Sequence, residues 1–362
     1  MLRKLLDTFW DEEVWLPPNV TWSDIAPGPD KPIVYADYRH LLYPIPLAFV
    51  LIGIRQIIEN YLYAPLGKKL GIKSTRTKKA PSNPHLENAY QTSAKLKHKQ
   101  LSSLSKQLDL SERQVERWWR LRRSQDKPST LVKFCENMWR CSFYTLSFGY
   151  GLLVLWDAKW LWEVDHCYLE YPHHDVTGGI WWYYMVSLAF YWSLTISQFW
   201  DVRRKDFWQM FVHHLATIAL LSFSWVCNLQ RIGSLILLVH DSADIFLEAA
   251  KAFKYANYQR VCDVLFVVFT LLWIITRLGI FPFHLIWSTT VRAPVFLTMF
   301  PAYYIFNSLL FLLLTLHLVW TWLIFQVVYN TITAGRMERD IRSDSSDCSN
   351  DSQGAYKNKK DT

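Results

Sequence analysis

The sequence predicts an all-α polytopic membrane protein of about seven transmembrane helices, six of them closing into one bundle, with a small cytosolic helix-turn-helix segment besides. Three observations carry this reading. The 362-residue chain is 51% apolar and only 19% charged, yet its mean hydropathy is +0.03, because apolar and polar residues are segregated along it. Windows of twenty or so mostly apolar residues recur, the length that crosses a hydrocarbon core of about 30 Å. The 19 Trp and 19 Tyr crowd the ends of those windows, as at Trp181-Trp182-Tyr183-Tyr184, where amphipathic rings favour the headgroup zone. A wholly soluble protein is excluded, and so is intrinsic disorder over most of the chain. The six Cys are scattered and form neither a disulfide framework nor a CxxC metal pattern.

Residues 1–40 read as a lumenal N-terminal segment. The basic start Leu2-Arg3-Lys4-Leu5-Leu6 runs into Asp7 and then Asp11-Glu12-Glu13 with no long apolar core, so no cleavable leader is expected. Spans are expected near 41–63, 137–157, 179–199, 208–228, 230–250, 261–285 and 300–327. The first is an anchor whose start is interrupted by Pro44 and Pro46 and whose end is charged by Arg55 and Glu59, spaced i,i+4. Orientation follows from Lys and Arg alone. Loop 64–136 is crowded with them, 200–207 carries Arg203, Arg204 and Lys205, and 251–260 carries Lys251, Lys254 and Arg260. The alternate loops hold Lys159, Arg231 and Arg292 only. The positive-inside rule then makes the first set cytosolic and the N-terminus lumenal. That places the sequon Asn19-Val20-Thr21 where it can be glycosylated. Residues 336–362 turn polar and read as a disordered cytosolic tail, in which Ser343 and Ser346 beside aspartates suit an acid-directed kinase.

Residues 64–128 form a basic segment. Within it, 68–127 holds 16 Lys or Arg against 5 Asp or Glu, which sets the basic character of the whole chain. Its second half reads as helix, capped turn, helix: 101–108, then Ser111 as the cap, then 112–123 with Val115, Trp118 and Trp119 on one face. The run Trp118-Trp119-Arg120-Leu121-Arg122-Arg123 resembles the end of a homeodomain. Leu121 stands where such domains carry an adenine-reading Asn, and Leu cannot make that bidentate contact. The stretch ahead of Leu101, with Pro81 and Pro84, gives no sign of a first helix. A sequence-specific DNA partner is therefore not expected, and a basic helix pair at an anionic membrane surface or polyanionic co-substrate is.

The residues with most chemistry lie in spans four and five. Phe211-Val212-His213-His214-Leu215-Ala216-Thr217 is followed by His240-Asp241-Ser242-Ala243-Asp244 and Glu248. Ionisable groups inside a membrane helix are costly, about 2.5–3.5 kcal/mol for a central carboxylate on insertion scales, and usually face a functional path. The pairs His240/Asp244, Asp241/Asp244 and Asp244/Glu248 are spaced i,i+4, i,i+3 and i,i+4, one polar stripe. The short connection between the two spans should bring His213 and His214 opposite it, near the cytosolic end. A metal is not expected, since neighbouring His point about 100° apart on a helix and do not readily share one ion. Lone His284 and His317 read as packing residues.

These motifs resemble the ceramide synthase family within the TLC-domain membrane proteins. The resemblance covers nearly the whole chain: Val14-Trp15-Leu16-Pro17-Pro18-Asn19, the homeodomain-like segment, Lys127-Pro128-Ser129-Thr130, the stretch 201–251, and the acidic tail from Asp340 to Asp344. It implies a TLC-type bundle over 129–335 in the endoplasmic reticulum membrane. It also implies N-acylation of a sphingoid base by fatty acyl-CoA, a co-substrate rather than a bound cofactor, giving (dihydro)ceramide. Asp241 and Asp244 would attract the ammonium, and His213 and His214 would act as base, nucleophile or carbonyl polariser, with the two roles open to exchange. Arg203, Arg204 and Lys205 would hold CoA phosphates, or serve only as a topological anchor. Membrane lipids, and a homo- or heterodimer with related synthases, complete the implied partners. An extended acyl chain that starts near the cytosolic end would reach the opposite face, so the segment of about 285–297, with Ile286, Trp287 and Phe296, is expected to set acyl length. The rival readings are a TLC-type protein that binds or chaperones lipid without acyl transfer, and a membrane-tethered DNA-binding regulator.

Overall fold

A computed structural model describes residues 8–334, apart from 73–78, 94, 95, 97, 127, 203 and 204. The described residues form helices and connecting loops with no strand. Helix α1, Pro44–Ile58, continues without a break through Glu59–Tyr63 and Ala64–Lys69. Pro44 and Pro46 open the helix instead of interrupting it, because the first turn has no intrahelical use for their missing N–H groups. The charges at its end are partnered. Arg55 Nε meets Glu59 at 2.7 Å, and its two Nη atoms fork onto Asp201 at 2.8 and 2.9 Å.

The basic segment contains three helices, α2 (Pro84–Thr92), α3 (His98–Leu108) and α4 (Glu112–Asp126). Helix α2 corrects the expectation that nothing helical precedes Leu101. Asn83 caps it by accepting from the His85 and Leu86 amides, and Pro84 sits at the first helical position, so the residue read as a breaker is a starter. Leu86 and Tyr90 pack on Leu101, Val115, Trp118 and Trp119 to make a small core. Ser111 and Gln114 cap α4 reciprocally. Arg122 forks onto Glu87 and also meets Asp126 at 2.6 Å. Its hydrogen bond holds the Glu87 carboxyl below the usual range, so this contribution is present at neutral pH and is lost in acid as Glu87 protonates.

Six further long helices follow: α5 (Thr130–Leu155), α6 (Gly178–Ser197), α7 (Phe207–Val226), α8 (Gln230–Tyr255), α9 (Gln259–Trp273) and α10 (Ala302–Ala334). They close into a ring in the order α5, α6, α7, α10, α9, α8, with each neighbouring pair in contact, while α1 lies outside against α6. By length and composition, four of the described helices suffice to cross a membrane: Tyr38–Lys69, Phe207–Val226, Gln259–Phe296 and Ala302–Asn330. Helices α5, α6 and α8 are comparably long but mix polar residues into their apolar faces. Helix α6 is the most enclosed, buried on nearly every side from Tyr183 to Ser197, as befits a helix without a polar face. The exposed side of α1, with Phe49, Val50, Ile57 and Tyr61, is an apolar girdle suited to lipid.

Two departures shape the interior. Helices α7 and α8 are joined through Cys227–Leu229, where Asn228 takes a left-handed conformation (φ 58°) that Asn tolerates. Despite this short join they touch much less than α8 touches α5 and α9, and the splay opens space inside the ring. The segment 285–297 is helical rather than a loop. Helix α9 runs on in a wider i→i+5 wind through Ile274–Ile286 and Ser288–Arg292 to Ala293–Phe296. Pro282 lies inside it, and the wider wind accommodates the bond and the space that Pro denies a regular helix.

Candidate functional site

Helix α7 starts after buried Asp206, and its first carbonyl, Phe207 O, is held by Gln198 Nε2 at 2.6 Å. His213 and His214 follow after about two turns, roughly 10 Å along the axis. Adjacent on the helix, they diverge. His214 is buried against the Tyr191 ring of α6, 6.2 Å between centroids. His213 turns toward α10, with its ring 5.3 Å from Trp320 and 6.5 Å from His317, and its Nδ1 is buried without a hydrogen-bond partner.

On α8, His240 faces the same centre, 5.1 Å from the His317 ring and 4.8 Å from Phe281. Its Nδ1 lies 2.6 Å from the Ile236 carbonyl. A carbonyl only accepts, so Nδ1 carries a proton, and whenever the ring is neutral its lone pair is at Nε2, an atom that is buried and unpartnered. Asp244, one turn on, meets Arg277 Nη2 of the α9 extension at 3.0 Å, and Glu248 meets Lys251 at 2.8 Å. Asp241 does not join this face. Its Oδ2 accepts from Ser147 Oγ of α5 at 2.6 Å, about 100° around the helix from His240.

Two cavities meet here. One is polar and lined by His213, His214, His240 and His317, by Asp201, Asp244 and Glu248, and by Arg140, Lys251 and Arg277. The other is apolar and runs from Thr217, Leu221 and Ile236 to Leu297, Met299, Phe300 and Tyr303. Tyr191, His213 and His240 line both. Gly233 lies in the apolar wall, where a Cβ would come within 1.8 Å of the Tyr184 hydroxyl, so only Gly lets that ring pack against α8. At the far end, Tyr168 hydrogen-bonds Ser288 at 2.9 Å, and Arg292 pairs with Asp165.

The other expected residues fall as follows. Arg203 and Arg204 lie outside the described residues, as do Ser343 and Ser346. Lys205 is exposed ahead of α7 and is not among the residues that line the polar cavity. Asn19 is exposed in a turn with φ 67°. In the expected length-setting segment, Ile286 is buried, while Trp287 and Phe296 are exposed, and none of the three lines the apolar cavity. From that stretch Thr289, Ala293 and Leu297 face the cavity, and Phe296 stacks on the Tyr168 ring, which also lines it. Among the described residues no three His, Cys, Asp or Glu converge as a metal site. Arg277 and His317 also line the polar cavity, and neither was expected there. The signal was there, since a charge or an imidazole midway along an apolar span points to function by default.

The TLC domain matches residues 133–326 and the homeodomain matches residues 73–128. Human ceramide synthase 5 is 42% identical over 344 residues, 95% of this chain and 88% of the relative. The chain belongs to the ceramide synthase family. Human ceramide synthase 4 is 40% identical over 350 residues, 95% of this chain and 87% of its own length. Ceramide synthase hyl-1 of Caenorhabditis elegans is 35% identical over 356 residues, 93% and 84% of the two chains. The family's TLC domain spans all six helices of the ring, and its homeodomain coincides with α2 to α4. In that unit Arg122, one of the arginines of the homeodomain-like run, is spent on Glu87 and Asp126.

Proposed function

We propose that this member of the ceramide synthase family moves a fatty acyl group from acyl-CoA to the primary amine of a sphingoid base where the polar and apolar cavities meet. The observation that carries this reading is that His213 lines both. Acyl-CoA combines a charged, water-soluble carrier with an apolar chain, and a cleft polar on one side and apolar on the other seats each where it is soluble. His213 is the favoured nucleophile or base because it borders both spaces, whereas His214 borders only the polar one. In the covalent route an imidazole nitrogen attacks the thioester carbon, the C–S bond breaks and CoA leaves as the thiol. The amine then attacks the acyl-imidazole, and its proton passes to the released ring. In the direct route the imidazole takes the proton as the amine attacks the thioester.

Asp244 and Glu248 draw the ammonium into the polar cavity, and Asp241 supports from the α5 side through Ser147. Arg140 and Lys251, which line the polar cavity, suit CoA phosphates. The membrane is that of the endoplasmic reticulum, with α7 starting at the cytosolic face and Asn19 in the lumen. Acyl length is set at the far end of the apolar cavity by the helical segment 286–296. Purified protein given a panel of acyl-CoA species and sphinganine should yield ceramide and stoichiometric CoA, and no product with any chain length would overturn the assignment. Exchanging residues 286–296 for those of a relative with a different preference should move the acyl optimum while turnover persists. An unchanged optimum in an active chimera would remove this segment from the account.

A further inference from the structure

Arg277 sits in the α9 extension with 3% of its surface exposed. One of its nitrogens is used: Nη2 donates to the His240 carbonyl at 2.6 Å and to Asp244 Oδ2 at 3.0 Å. The Trp273 ring lies against the guanidinium, 5.3 Å from its carbon to the ring centroid. Nε and Nη1 are fully buried and have no partner, although the group lines the polar cavity with His213 and His317. Idle donors on a buried cation are expensive, and a native fold keeps them when a ligand completes them.

The ligand's chemistry is constrained. A guanidinium stays protonated and only donates, so its complement is an acceptor. Asp244 already balances its charge, so a second full anion such as a phosphate would leave the buried site net negative. A neutral oxygen that gains negative charge only during reaction matches it better, because stabilisation confined to the transition state is what raises turnover. We infer that Arg277 is a catalytic residue, donating from one of these two idle nitrogens to the acyl carbonyl oxygen as it becomes an oxyanion. When the nitrogen lone pair attacks the thioester carbon, the C=O π pair moves onto that oxygen beside Arg277. When the pair returns, the C–S bond breaks and sulfur leaves with its electrons, taking up a proton to become the CoA thiol. Arg277 gives up no proton. The same oxygen is served whether the attacking nitrogen is imidazole or amine, so the inference rests on the acyl-transfer reading but not on either route.

The test uses Arg277→Gln, Arg277→Lys and the double variant Asp244→Asn/Arg277→Gln, in which neither partner is left as a lone buried charge. Removing an oxyanion donor costs on the order of 10²- to 10³-fold in kcat. R277Q should lose this much with KM for acyl-CoA within a few-fold, R277K should lose less, and the double variant should lose at least as much as R277Q, with a raised KM for the sphingoid base because Asp244 also draws the ammonium. Infrared difference spectra with palmitoyl-CoA carrying ¹³C at the carbonyl should show a band in the parent protein that moves to higher frequency in R277Q. Recovery of near-parent kcat in the double variant would reduce Arg277 to a counter-ion of Asp244 and overturn the inference. So would an unshifted carbonyl band. A parent protein that forms no ceramide would instead overturn the reading on which the inference rests.

Discussion

His213→Ala should leave the protein inserted and folded yet lower ceramide formation by at least 10²- to 10⁴-fold, the usual worth of one positioned acid-base group. The substitution adds no polarity to α7, and His213 makes ring contacts with Trp320 and His317 whose loss unfolds nothing essential. His214→Ala should be as inactive but less stable, because that ring is buried against Tyr191. Parent protein incubated with acyl-CoA alone should then report the route. An acyl mass on the peptide that holds His213, discharged by the amine, marks the covalent path; CoA release that strictly requires the amine, with no adduct, marks direct attack. Near-normal turnover in H213A would sink the catalytic assignment.

Thr217→Trp should move the acyl-CoA preference toward shorter chains. Thr217 lies one turn beyond His213 on α7, in line with Leu221 along the apolar wall, so an indole there stands across the cavity just past the chemistry. Each buried methylene is worth about 0.8 kcal/mol, so shutting out five of them removes about 4 kcal/mol, roughly 10³-fold in kcat/KM for long acyl-CoA. Acyl groups short enough to stop before the indole should keep their rates, which also shows that the fold survives. An acyl-chain optimum unaltered in an active T217W protein would mean that the chain takes another path.

Reading the sequence recovered the helical membrane architecture and the clustering of His213, His214 and Asp244, because apolar length and buried charge are strong local signals. It misjudged features that depend on three-dimensional context. Pro84 looked like a breaker because Asn83 as a cap was not weighed beside it. Segment 285–297 looked like a loop because nothing in Ser288-Thr289-Thr290 announces a widened helix. Asp241 and Asp244 looked equivalent by spacing, yet Ser147 on α5 claims the first and Arg277 on α9 the second. Those choices are made by neighbouring helices, and no single helix's periodicity contains them. His317 shows the same dependence: its ring comes beside those of His213 and His240 only where α7, α8 and α10 converge.

If one continuous path runs from the polar cavity past His213 to the far end of the apolar cavity, the acyl chain lies along it. An acyl-CoA carrying a photoreactive diazirine at the methyl end of a long chain, irradiated in complex with the purified protein and mapped by peptide mass, reports where that end lies. Crosslinks should fall on Leu297, Met299, Phe300, Tyr303 or Tyr168, moving toward Thr217 and Leu221 as the chain is shortened. Labelling confined to the exposed outer face of α1, at Phe49, Val50 and Ile57, or to the polar lining around Glu248 and Lys251, would contradict that path.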